Sequence, residues 1–191
     1  GSEGKKLARE IKNADIFYYT GISAGILDAK QKKDLIHIGS TAVICGFDFN
    51  YRSQLHNDKK VSQLLFKKIS ENVDINFVSF DDVKELFDIK NPYEVFEILN
   101  DKKNLILIRY KDSIIFKNKQ EVIKTVKVHH GEVVDTTAAG DAFNGSFLAL
   151  INNDKNIPIV ENILKSHSVT REVIKHKGAI ISNKNMPNIN T

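Results

Sequence analysis

The run Asp135-Thr136-Thr137-Ala138-Ala139-Gly140-Asp141-Ala142-Phe143-Asn144-Gly145 is the stretch of this 191-residue chain best equipped for chemistry. A strand over Glu132–Val134 is expected to feed it. A helix carrying Phe143, Phe147, Leu148, Leu150 and Ile151 at helical spacing is expected to leave it. Small residues at Ala138, Ala139 and Gly140 let backbone N–H groups gather at the helix start, where unpaired donors and the helix dipole favour an anion. Asp141 stands at the mouth of that hole. A carboxylate there repels a bound anion, so it is badly placed as the anion's partner. It is well placed to take a proton from a hydroxyl attacking a phosphate, and the run reads as a phosphoryl-transfer site. The plain alternative is a helix cap by Asp135, Thr136 or Thr137 with Asp141 as a first-turn acid. The run is longer than a cap requires.

Three further groups carry polar chemistry. Asp48-Phe49-Asn50-Tyr51-Arg52 leaves an apolar run, Val43–Phe47, and its guanidinium suits bidentate capture of a carboxylate or phosphate. Its plain alternative is an internal Asp48–Arg52 salt bridge. Ser79-Phe80-Asp81-Asp82 reads as a cap and first turn, or as a place where an acid meets a metal-bound water. Arg109-Tyr110-Lys111-Asp112-Ser113 ends the most hydrophobic run, Leu105–Ile108. The six histidines share no metal-ligand spacing. Tyr18 and Tyr19 read as core and sheet edge.

The elements that must hold these groups alternate along the chain. Ser2–Lys12 is expected to be helical, with Leu7, Ala8 and Ile11 on one face. Ile16–Tyr19 is a short strand ended by Thr20-Gly21. Asp28 caps a helix with Leu35, Ile36 and Ile38 inward, and Val43–Phe47 is a buried strand followed by a polar loop over 48–57. Val61, Leu64, Leu65 and Ile69 form the next helical stripe. Ile75–Val78 is a strand, Asp81 caps a helix, and Asn91-Pro92 opens another. Leu105–Ile108, Ser113–Phe116 and Val122–Val128 are strand-like, the last two parted by Lys117-Asn118-Lys119. Pro158 opens a long helix to about His176, and Gly178–Ile181 leads into a tail over 183–191. Strands apolar throughout and alternating with helices predict a mostly parallel sheet. Ligands then bind beyond the carboxyl ends of the strands, where every group above is expected.

Composition narrows the function classes. The hydrophobic fraction is 41%, the charged fraction 27% and the net charge +4. The length is that of one domain with a real core. No apolar run approaches a membrane span and no signal peptide is evident. The single Cys45 cannot form an internal disulfide, which points to the cytoplasm. The lysine pairs (Lys5-Lys6, Lys32-Lys33, Lys59-Lys60, Lys67-Lys68, Lys102-Lys103) are scattered as on solvated helix faces. Nucleic-acid binding wants them clustered with aromatics.

The Asp135–Gly145 run resembles the anion-hole signature of the ribokinase-like (PfkB-type) carbohydrate kinases, whose last Asp is the catalytic base. Its Ala-Ala-Gly form, followed by Asp-Ala-Phe-Asn-Gly, is most similar to the 2-keto-3-deoxygluconate kinases (2-dehydro-3-deoxygluconokinases). Ser146 departs slightly, since the family usually has Ala or Gly there. Asp48–Arg52 resembles the Asp-x-Asn-Tyr-Arg stretch of the same kinases. Ser79–Asp82 stands where the family has Asn-x-x-Glu. Arg109–Ser113 keeps the family's Arg, Asp and Ser but has Tyr110 for a glycine and Ile108 for a lysine. The resemblance implies a three-layer α/β sandwich with a mostly parallel sheet. It also implies that residues 1–191 are the C-terminal two-thirds of such a domain, carrying the nucleotide and catalytic part. Gly1-Ser2 resembles a stretch that follows a Tyr-x-Arg substrate motif in the family, so the first strands and the lid are expected to be absent.

The implied activity is ATP-dependent phosphorylation of 2-keto-3-deoxygluconate to 2-keto-3-deoxy-6-phosphogluconate with Mg²⁺ and K⁺. Asp141 would be the base, with Ala138, Ala139 and Gly140 forming the hole. Arg52 and Asp141 would meet the substrate. Asn50, Arg52, Arg109, Thr137 and Gly140 would meet the nucleotide. Asp82 would hold Mg²⁺ through water, and Asp135, Thr137 and Ser182 a monovalent cation. Partners would be the small sugar acid, ATP and a second copy joined through the lid. Two alternatives are a non-catalytic nucleotide or sugar binder, suggested by Tyr110, and a fructokinase- or ribokinase-type enzyme, against which Tyr51 and Ala138-Ala139 weigh.

Overall fold

The structure, a computed structural model, describes residues 2–99, 104–118, 120 and 122–187. Gly1, Lys102-Lys103, Lys119 and the tail beyond 187 lie outside the described residues, as do the side chains of Lys5 and Leu7. Strands are β1 (Ile16–Thr20), β2 (Ile44–Asp48), β3 (Ile75–Ser79), β4 (Leu105–Tyr110), β5 (Ser113–Lys117) and β6 (Ile123–Lys127). Helices are α1 (Ser2–Lys12), α2 (Gly21–Gly25), α3 (Ala29–Gly39), α4 (Lys59–Ser70), α5 (Phe80–Phe87), α6 (Glu94–Ile98), α7 (Ala139–Asn153) and α8 (Ile159–Val173). The six strands form one sheet in sequence order. The β1–β2, β2–β3 and β3–β4 pairs are parallel. Only two residues, Lys111 and Asp112, join β4 to β5, a connection that antiparallel neighbours alone can make. Residues divide into two compact units, Gly1–Lys111 with Ile115–Thr125, and Asp112–Ile114 with Val126–Thr191.

In the first unit, β2 and β3 are buried along almost their whole length, as parallel strands covered on both faces must be. Asp28 caps α3 in a reciprocal capping box with Gln31, as its side-chain type predicts. An aromatic cluster packs at the carboxyl end of β2. Phe47 meets Tyr19 at 5.2 Å, Phe49 at 5.3 Å and Phe66 at 5.6 Å between ring centroids. Gly21, just past β1, lies against this cluster. A Cβ there would stand 2.0 Å from the Phe49 carbonyl oxygen, so the backbones approach too closely for any side chain.

Several local expectations are corrected. The inward stripe of α4 is Ser62, Phe66 and Ile69, with Leu65 half-buried, while Val61 and Leu64 face solvent. Ser62 can be buried because its hydroxyl donates to the Asp58 carbonyl at 2.7 Å, leaving the central position to the larger Phe66 ring. The cap of α5 is Ser79, not Asp81. Phe80 is already helical and buried, so both aspartates fall in the first turn. Asn91-Pro92 forms a turn before α6, whose cap is Tyr93. The loop over 48–57 is less polar than its composition implies, since Phe49 and Tyr51 are core residues.

In the second unit α7 packs on α8, and Ala138, Val169 and Val173 share a buried cluster with Ala142 and Ile181. Buried Asn162 donates to the Phe147 carbonyl at 3.2 Å and accepts from Ser166 Oγ at 3.0 Å, satisfying both ends of its amide. Helix α8 ends at Val173, short of His176. Glu132–Val134 is not a strand. The N–H groups of Val134 and Asp135 both donate to the Ile174 carbonyl, at 2.8 and 3.1 Å. The segment is tied to the end of α8, where terminal carbonyls lack helical partners, rather than to a sheet.

Candidate active site

Two groups of residues have the means to bind and move a charged group, one in each unit. In the second unit the chain turns at Asp135–Ala138 and enters α7. No side chain caps this helix. The N–H of Ala139 donates to the Thr136 carbonyl at 3.1 Å and that of Ala142 to the Ala138 carbonyl at 2.9 Å. The N–H groups of Gly140 and Asp141, between them, meet no acceptor among the described residues. Two adjacent donors are thus left open at the positive end of a helix of 15 residues. The Asp141 side chain lies exposed in the first turn. Ala138 is buried under the turn and leaves no room for a larger residue without repacking.

Asp135 braces the turn. Its Oδ1 accepts from the Thr137 N–H at 2.8 Å and the Thr137 hydroxyl at 2.6 Å, and its Oδ2 accepts from the Gly178 N–H at 2.9 Å. The Thr137 hydroxyl bond, then the two backbone bonds, hold the carboxyl down at about 2. Gly178 makes its contact with φ +92, a conformation that favours glycine. The carboxylate therefore works as a clasp between the turn and the segment after α8. The monovalent-cation expectation for Asp135, Thr137 and Ser182 concerns the backbone around this turn, because the side chains are already engaged. Both Asp135 oxygens are engaged by N–H and O–H donors, and Ser182 Oγ accepts from the Lys184 N–H.

In the first unit, charged residues gather at the carboxyl ends of β2, β3 and β4. The alternation Phe47-Asp48-Phe49-Asn50-Tyr51-Arg52 explains their placement. Phe47, Phe49 and Tyr51 are buried in the aromatic cluster, which sets the intervening Asp48, Asn50 and Arg52 against the other side of the chain. Tyr51, His56 and Phe66 form a three-ring cluster, with His56 stacked on Tyr51 at 5.2 Å and Phe66 edge-on to it at 5.7 Å. Asn50 has φ 30, and its buried side-chain oxygen accepts no hydrogen bond from the described residues. A strained, unsatisfied amide of this kind is a mark of a ligand contact.

The internal Asp48–Arg52 bridge does not form. Asp48 is buried, pairs with Arg109 Nη2 at 3.5 Å and accepts from the Tyr18 hydroxyl at 3.4 Å. Arg52 turns instead to Asp82, with Nη1 donating to Oδ1 at 3.2 Å and to the Tyr51 carbonyl at 2.8 Å. Burial raises the Asp82 carboxyl above its ordinary value, against the opposing pull of Arg52. One half-buried carboxylate suits a Mg²⁺ that keeps its waters and is held mainly by phosphates. No group of three or more His, Cys, Asp or Glu capable of holding a metal occurs among the described residues.

Tyr18 is the residue sequence reasoning missed. Its neighbour Tyr19 is core, but the Tyr18 hydroxyl reaches the buried Asp48 thirty residues on. Period-two alternation within β1 carries that signal, because Tyr18 and Thr20 must share a face opposite Tyr19. Tyr110, which stands where a glycine is expected, packs its ring edge-on against Phe80 at 5.0 Å, with Lys111 Nζ over it at 5.1 Å. Its bulk is therefore tied to α5.

Comparisons with known proteins establish the family and the fold. The pfkB family carbohydrate kinase profile matches residues 2–186. A 2-dehydro-3-deoxygluconokinase of Escherichia coli (strain W) is 30% identical over 95% of this chain and 61% of its own length. A crystal structure of fructokinase with bound ATP from Xylella fastidiosa superposes with TM-score 0.76 at 19% identity, over 94% of this chain and 60% of that one. Aminoimidazole riboside kinase from Salmonella enterica, complexed with aminoimidazole riboside and an ATP analog, gives TM-score 0.74 at 21% identity over 87% and 58%. The fold is thus ribokinase-like, and the chain spans about 60% of the length of the relatives it matches.

Proposed function

The chain belongs to the pfkB family of carbohydrate kinases, and from that premise we propose that it carries the nucleotide and catalytic part of an ATP-dependent sugar-acid kinase. The substrate we assign is 2-keto-3-deoxygluconate, phosphorylated on its terminal hydroxyl to 2-keto-3-deoxy-6-phosphogluconate. One observation carries the reading: the open N–H groups of Gly140 and Asp141 beside the exposed Asp141 carboxylate. The similarity to 2-dehydro-3-deoxygluconokinases supports the choice of substrate.

Bound ATP supplies the γ-phosphoryl group, and a divalent metal neutralises part of its charge. Asp141 accepts the proton of the attacking hydroxyl. The N–H groups at the start of α7, framed by Ala138, Ala139 and Gly140, hold the phosphoryl oxygens as negative charge builds on them. Their positions are set before any ligand arrives, because the Asp135 clasp to Thr137 and Gly178 fixes the turn. Arg52 neutralises the carboxylate of the sugar acid or a phosphate, with Asn50 beside it. Arg109, oriented by buried Asp48, adds positive charge toward the nucleotide. Asp82 would hold the divalent metal through a bound water. Positioning and electrostatics do most of the work, as phosphoryl transfer requires.

ATP consumption with Mg²⁺ against 2-keto-3-deoxygluconate, 2-keto-3-deoxygalactonate, fructose and ribose tests the reading. Turnover confined to a keto-deoxy acid is expected. Turnover on a neutral sugar would keep Asp141 as base and remove the sugar acid. A folded protein that turns over none of the four would favour a binding module, with Tyr110 the first residue to examine.

A further inference from the structure

Arg52 is not waiting empty for a ligand. One nitrogen, Nη1, makes both of its contacts among the described residues, to the Tyr51 carbonyl and to Asp82 Oδ1. The pair is a one-point contact, not a two-pronged fork, and the Arg52 side chain is 49% exposed. In the same unit Asp48 and Arg109 form a more buried pair, at 4% and 26% exposed against 19% and 49% for Asp82 and Arg52. A buried pair resists exchange because losing one partner strands a charge away from water. A half-exposed single contact exchanges readily, since water and salt compete for it.

We propose that Asp82 is a specificity-determining residue, an internal stand-in for the ligand's anionic group that occupies Arg52 until a stronger anion displaces it. The inference rests on the reading that Arg52 receives a phosphate or carboxylate. A singly charged anion with one oxygen to offer gains little over Asp82. A phosphate chain, with several oxygens and more charge, engages the fork bidentately and wins. Asp82 therefore sets a threshold that weak anions do not pass. The consequence runs against the usual effect of mutating a site residue. In the absence of a divalent metal, removing the Asp82 charge tightens anion binding, because Arg52 loses its competitor.

The test is a calorimetric titration of ATP and of inorganic tripolyphosphate in EDTA. It compares the unmodified protein with Asp82→Asn, Asp81→Asn and both changes in an Arg52→Met background. Asp81 is the matched control, exposed in the same helical turn with the same charge. Asp82→Asn is expected to tighten binding about two- to fivefold, the range an exposed ion pair supports. Asp81→Asn should leave it nearly unchanged, and Asp82→Asn should do nothing once Arg52 is Met. Weaker binding in Asp82→Asn would overturn the inference, as would equal tightening in all backgrounds, which would be a general field effect. A preceding titration of the unmodified protein with ATP and Mg²⁺ separates the two readings. No binding there would overturn both, whereas binding there with no gain in EDTA on Asp82→Asn would overturn this inference alone.

Discussion

The turn into α7 and the charged rim above β2–β4 prepare for an anion in opposite ways. At α7 the donors are backbone N–H groups that meet no acceptor among the described residues, held by Asp135 from behind. At the rim the donors are arginines already engaged by aspartates. Backbone donors cannot rotate away, so the α7 turn can be built for a transition state without reorganisation. Long charged side chains left unpaired would be floppy, and pairing them holds their geometry at the cost of an exchange on binding. The difference teaches a division of labour. The α7 turn should govern the chemical step, and the rim should govern which ligand stays.

That division can be broken, most forcefully at Asp141. Asp141→Asn is expected to lower kcat by about 10²–10⁴ while leaving KM and the melting temperature near their original values. Normal turnover would remove it as base. Gly21→Ala attacks the scaffold beneath the rim. Its Cβ would collide with the Phe49 carbonyl, and a loss of about 3 kcal/mol in urea unfolding is expected, near the upper end for overpacking. A harmless substitution would mean that the β1–loop approach is not tight. Arg52→Met should raise KM about tenfold with a smaller change in kcat, as removal of a charge-assisted contact predicts. If kcat fell and KM held, Arg52 would belong with the α7 turn.

The smallest effect expected is in the response to acid. His167 is buried, with Nε2 at 3.1 Å from the His129 carbonyl and with the His130 ring at 5.2 Å. Burial lowers its pKa against the opposing pull of the His129 carbonyl bond, and the nearby His130, Arg171 and His129 charges lower it further. The unfolded chain then binds more protons than the folded one below its ordinary value of about 6.5, so stability rises with pH across that window. Melting temperature should fall between about pH 7.5 and about pH 5.5, and His167→Gln should flatten the slope. Half-buried His56 acts with the same sign and limits how much of the slope one variant removes. An unaltered slope in His167→Gln would assign the effect elsewhere.

Much of the candidate site was legible because its signals are local. The small residues before Asp141, the acid itself and the periodicity of α7 all lie within one turn and its helix. Asp28 likewise found its capping box from neighbours three residues apart. What failed did so where distant packing chose between local options. Val61 and Leu64 are as apolar as core residues, yet Phe66 took the inward face of α4. Glu132–Val134 has the composition of a strand, yet the carbonyl of Ile174 was the partner within reach.

The sequence by itself determined the alternation of strands and helices, the parallel character of the sheet, the family and the identity of the acid at the helix start. Each is written in side-chain type and spacing, which act over a few residues. Only the tertiary structure decided that Arg52 meets Asp82 rather than Asp48, that Tyr18 reaches Asp48, and that Asp135 serves Gly178 as well as its own turn. Those choices depend on which charges the strands and loops bring within a few ångströms. A charged side chain takes the best partner in reach, and sequence order does not say which one that is.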